Sequence, residues 1–427
     1  MPHDEADWPT LLPDVALERL APVAPAAAGD PVGVVERALA DAGAAQFLAD
    51  AARGGPPLTV VVNDPHRFTD TRSFVVALVA LLDRDGLSVD RLPLRLLVAA
   101  GSHRSTPEER ARHEAHMLGA HAARFAAVAW HDARDPATHR AVGATTLHEW
   151  MAGGGHYVAC GSVEPHYFAG VTGAHKTLTV GVMALGALTA NHAHAMSSAV
   201  APLRLAGNPV HAGIVQAVRD LEATGARLLV LNQVLADGAL AGCTAGHPLD
   251  AIARALPLVE RCFAKPLAQT VDLVIARVRP PLDRDLYQAE KGIKNTEAAV
   301  RDGGVIVLEA PCDLGVGLDA FVELLRAAPT HAAAVATVAA RGYRLGDHKA
   351  VRLRALTDTR AVRVAVVTRG LDPALAGVLG MTIYPERAAA ARWVAAQLPR
   401  GARGVVVEDA GNVALAPSDR AGSEQPD

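Results

Sequence analysis

Cysteine is scarce: the chain holds 4 in 427 residues, Cys160, Cys243, Cys262 and Cys312, and no two stand in CxxC spacing. That excludes a disulfide framework and a zinc knuckle, and it suits a reducing compartment. The opening residues, MPHDEADWPTLLPD, lack the charged-then-apolar pattern of a signal peptide. We therefore expect a cytoplasmic protein. No apolar run reaches the roughly 18–20 residues that a membrane-spanning helix requires, so no membrane partner is expected. Basic blocks are also missing, and the formal net charge is −4. A phosphate-backbone surface needs clustered Lys and Arg, so nucleic acid is not an expected partner. Internal repeats are absent.

What is present is a long chain, 50% hydrophobic and 20% charged, enough for two or three domains with a sizeable core. β-branched apolar runs alternate with alanine-rich helical stretches, the pattern of an α/β fold with mainly parallel sheets. Strands are expected at Leu58–Asn63, Leu94–Ala100, His156–Ser162 and Arg227–Leu235, and helices at Arg72–Leu82, Pro107–Leu118 and Leu178–Ala190. A second α/β pattern starts near Gln269, with strands at Thr270–Val278, Gly304–Glu309, Val362–Thr368 and Gly404–Glu408 and a helix around Leu286–Val300. This predicts an N-terminal α/β domain over 1–268 and a C-terminal α/β domain over 269–427. The active site should lie in the cleft between them, and the polar tail after about residue 417 should be disordered.

The 18 histidines are many for this length, and the reactive ones fall just after strands. Asp64 and Arg67 follow the first strand, His103 the second and His166 the third. In open α/β sheets, ligands bind at the carboxyl ends of strands. Asp64-Pro-His-Arg67 sets a carboxylate and a guanidinium on one turn. Arg67 either grips a substrate carboxylate with its planar fork or pairs with Asp64 to close the turn. His103, in the GSHRS loop, either acts as a general base or caps the next helix. The segment Glu164–Lys176, EPHYFAGVTGAHK, joins His166 and Lys176 to Gly170 and Gly173, two glycines that would let the backbone approach a ligand. Lys176 near a helix start would have a depressed pKa and an anion-favouring dipole. Its amine is a candidate for covalent attachment of a cofactor. His192 sits sixteen residues on, near that helix's far end. Tyr287, Gln288 and Lys291 head a second-domain helix, with Gln288 and Lys291 on one face. They either hold a carboxylate and hydroxyl or form a solvated face.

These five pieces, in this order, resemble the nickel-dependent lactate racemase family: an Asp-x-x-Arg turn, a Gly-x-His-Arg loop, EPHYFAG with a lysine ten residues past its histidine, a further histidine, and Tyr-Gln-x-x-Lys. GNPVH at Gly207–His211 also looks like the family's. The resemblance runs from about residue 58 to 300. It implies a racemase or epimerase that inverts C2 of a 2-hydroxy acid by reversible hydride transfer to a nickel-pincer nucleotide. Lys176 would be tethered to that cofactor and His192 would ligate its nickel. His103 and His166 would exchange the hydroxyl proton, with Asp64 and Arg67 beside them. Arg67, Tyr287, Gln288 and Lys291 would bind substrate, and Gly170 and Gly173 would border the cofactor. Cofactor-biosynthesis enzymes would load the protein. The chain departs from the common pattern at His175, at Val180, and in having GDHKA at Gly346–Ala350 where a tryptophan is usual; Trp393 falls in an outer helix. A metal-dependent lyase or hydrolase using the same histidines, and a non-catalytic binding relative, are the rival readings.

Overall fold

The computed structural model describes residues 6–23, 29–55 and 57–418. The expected disordered tail lies outside them except for Ser418, whose N–H bonds the Leu267 carbonyl (2.9 Å). The architecture is mixed α/β with two six-stranded sheets. In chain order the principal strands are β1 (Ala16–Leu20), β2 (Leu58–Asn63), β3 (Leu94–Ala99), β4 (Phe125–Trp130), β5 (Gly155–Ser162), β6 (Ala226–Ala236) and β7 (Ala239–Gly246). There follow β8 (Val271–Arg277), β9 (Val300–Glu309), β10 (Arg363–Val367), β11 (Thr382–Tyr384) and β12 (Arg403–Val407).

The first sheet runs β7-β6-β5-β2-β3-β4, parallel except for the β6–β7 hairpin. Every residue of β2, LTVVVN, is buried, because helices cover both faces of a parallel sheet and its central strand needs no polar side. Two apolar clusters flank it, one around Phe74 and Leu78, the other around Tyr157 and Leu178. Strand order reverses between β2 and β5, so the chain leaves these neighbours in opposite directions and opens a crevice at their carboxyl ends. The second sheet, β1-β12-β8-β9-β10-β11, is parallel throughout.

Three expectations change. The helix expected around Leu286–Val300 ends at Thr296, and Val300 opens β9 four residues before the expected Gly304. Strand β1 joins the second sheet by pairing with β12, although the sequence reading put residues 1–268 in one N-terminal unit; a short LERL run gives no local sign of a partner almost 390 residues away. The single helix expected over Leu178–Ala190 is broken. It becomes one turn at Ala174–Thr177, a 3-10 turn at Val180–Val182, and a helix at Leu185–Ala193. Gly181 makes the break: its carbonyl accepts from the Gly101 N–H (2.9 Å), and a Cβ there would lie 2.9 Å from that of Ala99. Lys176 therefore has no long helix behind it, and the dipole argument for its pKa falls. The helix Pro107–Leu118 has its expected bounds, with Thr106 as N-cap in a full capping box to Glu109.

Candidate active site

Asp64, His103 and His166 leave β2, β3 and β5 at their carboxyl ends. Because β5 and β3 flank β2, the two imidazoles come from either side of it. A cavity of about 90 Å³ opens there, lined by Asp64, Arg67, His103, Gly173, Lys176 and His192 among others. A continuous helix would hold Lys176 and His192, sixteen residues apart, about 24 Å from each other. The break at Gly181 folds the segment back so that both line one cavity. A second cavity, of about 250 Å³, shares Ser102 and His103 with the first and has Tyr287 and Gln288 in its wall.

The Asp64 carboxylate is buried and oriented by three donors. The His66 backbone N–H bonds Oδ1 (3.2 Å), while His66 Nδ1 and His103 Nδ1 stand 3.1 and 2.8 Å from Oδ2. Arg67 does not close the turn onto Asp64, so its guanidinium is left for the cavity. Burial alone would raise the Asp64 pKa, but the two imidazoles hold it well below the carboxylate range. Burial pushes His103 below its ordinary value against the pull of Asp64. With Nδ1 toward Asp64, His103 has Nε2 available to a ligand. This is the geometry of an imidazole base held in one tautomer by a carboxylate.

His166 is buried and does not line the cavity wall. Its Nδ1 accepts from the Ala169 N–H (3.3 Å), its Nε2 stands 3.4 Å from Lys176 Nζ, and its ring stacks on Tyr167. Burial, then the charges of Lys176, Lys291 and Arg67, keep it neutral well below its usual pKa. Burial and Arg67 bring Lys176 down to about 7. Burial, then Arg67, Lys349 and Lys176, push Lys291 well below the lysine range. Among the described residues, Arg67, Lys176 and Lys291 form no ion pair. Arg67, with two lysines held toward their neutral forms beside it, makes the cleft receptive to an anion.

The residues fit a lysine-attached, imidazole-ligated metal cofactor. His192 has a buried Nδ1 with no well-formed hydrogen bond. Burial and Lys176 lower its pKa to about 3, so the ring stays neutral and its lone pair stays available.

Gly173 lines the cavity, but Gly170 does not. At φ +80° its missing side chain makes room for the Arg204 carbonyl, 2.4 Å from where a Cβ would sit, so Gly170 serves packing, not ligand approach. His175 is fully buried with both ring nitrogens unpartnered, 5.6 Å from the His211 ring; Val180 is in the cavity wall. Sequence reasoning missed three contributors. His66 shares the Asp64 carboxylate. Asn63 accepts from Thr177 Oγ1 (2.7 Å) in the cavity wall. His348, from GDHKA, lies 2.8 Å from Tyr167 Oη and 2.7 Å from Tyr343 Oη, which ties the second sheet's unit to the EPHYFAG loop. For His66 the signal was visible, a histidine inside the Asp-x-x-Arg turn; for His348 it was not, because nothing local pairs GDHKA with Tyr167.

Residues 6–202 match the lactate racemase N-terminal domain and residues 268–386 the lactate racemase C-terminal domain. The lactate racemase of Thermoanaerobacterium thermosaccharolyticum is 27% identical over 299 residues, 67% of each chain. That of Lactiplantibacillus plantarum is 25% identical over 68% of each. In structure, the apoprotein of the Thermoanaerobacterium racemase superposes with a TM-score of 0.82 over 95% of this chain and 96% of that one, at 23% identity. A Thermotoga maritima protein superposes at 0.70 over 91% and 99%, at 15% identity. Fold and relatives together define an isomerase, a racemase. The chain belongs to the lactate racemase family. Among the described residues no helix is long and apolar enough to cross a membrane.

Proposed function

We propose that this chain inverts C2 of a lactate-like 2-hydroxy acid, using a nickel-pincer nucleotide attached to Lys176 and ligated by His192. The observation that carries the reading is the cleft itself, where Arg67, Lys176 and Lys291 stand without counter-ions beside neutral imidazoles. The cofactor supplies reversible hydride acceptance; the protein supplies everything else. Arg67 fixes the substrate carboxylate, with Lys291, Gln288 and Tyr287 closing from the second unit. His103 Nε2 takes the hydroxyl proton of one enantiomer while Asp64 steadies the imidazolium. To His166 we assign the hydroxyl proton of the other enantiomer, and each returns a proton as the acid in the reverse sense. The neutral Lys176 amine is the attachment point, and Gly173 lets the chain pass close to the bound group. We assign cofactor binding and catalysis to residues 1–268 and substrate closure to 269–427, with strand β1 reaching across. Loading by cofactor-biosynthesis enzymes and a cytoplasmic location belong to the same reading. Polarimetry on protein co-expressed with pincer-making enzymes, across enantiopure 2-hydroxy acids, tests it. At least one acid should lose rotation to zero, and inertness toward the whole panel at full cofactor loading would overturn the reading.

A further inference from the structure

We infer that Asp64, His66 and His103 form a binding site for a divalent transition-metal ion that does not use His192. Two imidazoles and one carboxylate form a donor set that first-row divalent ions such as Zn²⁺, Co²⁺ and Ni²⁺ accept. One ligand atom from each of the three residues already falls within 4.8 Å of the other two. The rings of His66 and His103 lie 4.4 Å apart, and both Nδ1 atoms converge on Asp64 Oδ2. The carboxylate is fixed from behind by the His66 backbone N–H on Oδ1. Both imidazoles border the 250 Å³ cavity, which leaves room for water in the remaining coordination positions. His66 and His103 are each about one-fifth exposed, so an ion can reach them.

Binding needs no oxidant and no net loss of a proton. Each ring moves its hydrogen from Nδ1 to Nε2, and the two freed Nδ1 lone pairs and the Asp64 carboxylate become ligands. The positive charge of Arg67 opposes the ion. The full charge of Asp64 answers it, and Glu109 lies near His66. The consequence for the proposed reaction is inhibition, because an ion here takes Asp64 and Nδ1 away from the His103 base. The binding claim itself does not depend on that reaction.

The test is titration of the full chain, freed of metal by chelator, with Co²⁺, followed by visible d–d absorption and calorimetry. One ion should bind per chain. His66→Ala and Asp64→Asn, each checked for a native melting transition, should weaken binding at least about tenfold, since even an outer-shell partner is worth 10–100-fold. His192→Ala should leave it intact. Absence of Co²⁺ binding, unchanged affinity in His66→Ala, or loss on His192→Ala alone would each overturn the inference. In loaded enzyme the half-inhibiting Zn²⁺ concentration should rise by the same factor in His66→Ala, whereas a protein that racemises nothing would sink the functional reading and leave the binding result standing.

Discussion

An amine buried beside Arg67 loses its proton near pH 7, and this gives Lys176 a testable signature. Its neutral fraction rises as pH climbs through about 7, whereas ordinary lysines reach that point above pH 10. Trace acylation of the unloaded chain at pH 6, 7 and 8, read by peptide mass spectrometry, should label Lys176 ahead of exposed lysines at pH 7–8; labelling that tracks theirs would deny the depressed pKa. His103→Ala and His166→Ala should each cost about 10²–10⁴-fold in turnover in both directions, the range for a general acid–base group. Normal racemisation by either variant removes that residue from the assignment. Arg67→Lys should lower kcat/KM about ten- to a hundredfold with cofactor loading unchanged, because an ammonium lacks the fork that orients a carboxylate. A lower melting temperature with unchanged kinetics would instead make Arg67 structural. At this scale the sequence was informative. Asp64, Arg67 and His103 sit in short motifs after strands, where chain direction alone brings them to one sheet edge. What escaped it was pairing between distant segments, as with His348 and Tyr167.

The segment between Lys176 and His192 is where an element matters more than its residues. Its composition reads as one apolar helix, and periodicity cannot reveal that Gly181 lies against Ala99 at the end of β3. Tertiary packing overrides helical propensity there. The same break brings the amine and the imidazole to one cavity, so it is open to a test by steric insertion. Gly181→Ala places a methyl 2.9 Å from Ala99 Cβ, a contact that must push the 3-10 turn away from the strand. We expect nickel content per attached cofactor to fall, with the far-ultraviolet spectrum unchanged. Elemental analysis of purified wild type and variant checks this, and equal nickel occupancy would show that the turn does not position His192.

Across the whole molecule, the fold holds several histidines that are neutral because they are buried. Burial and its neighbours His139 and His148 take His131 to about 3, burial and His139 take His148 to about 4, and burial with His211 takes His175 to about 3. In the unfolded chain each would titrate near 6.5, so below that pH the unfolded state binds protons that the native state refuses. Stability from these groups is full above about pH 6.5 and is lost as pH falls toward 4. Melting temperatures of the unloaded chain should therefore decline steadily from pH 7 to 4.5; a flat profile would contradict the buried, neutral assignment. The two-sheet α/β plan was legible from alternating runs, and the eight expected strands keep their bounds within a residue or two, except for β9, which starts four residues early; β1, β4, β7 and β11 were not expected. The placement of β1 in the second sheet was not, since its partner strand lies at the other end of the chain.

In the proposed reaction, C2 is inverted by hydride leaving and returning while His103 and His166 handle only the hydroxyl proton. The most direct measurement is racemisation of an enantiopure 2-hydroxy acid deuterated at C2, in ordinary water, by loaded protein. Both enantiomers should appear with deuterium retained at C2. Replacement of that deuterium by solvent hydrogen during inversion would mean that a histidine abstracts the carbon-bound hydrogen as a proton, and would contradict hydride transfer.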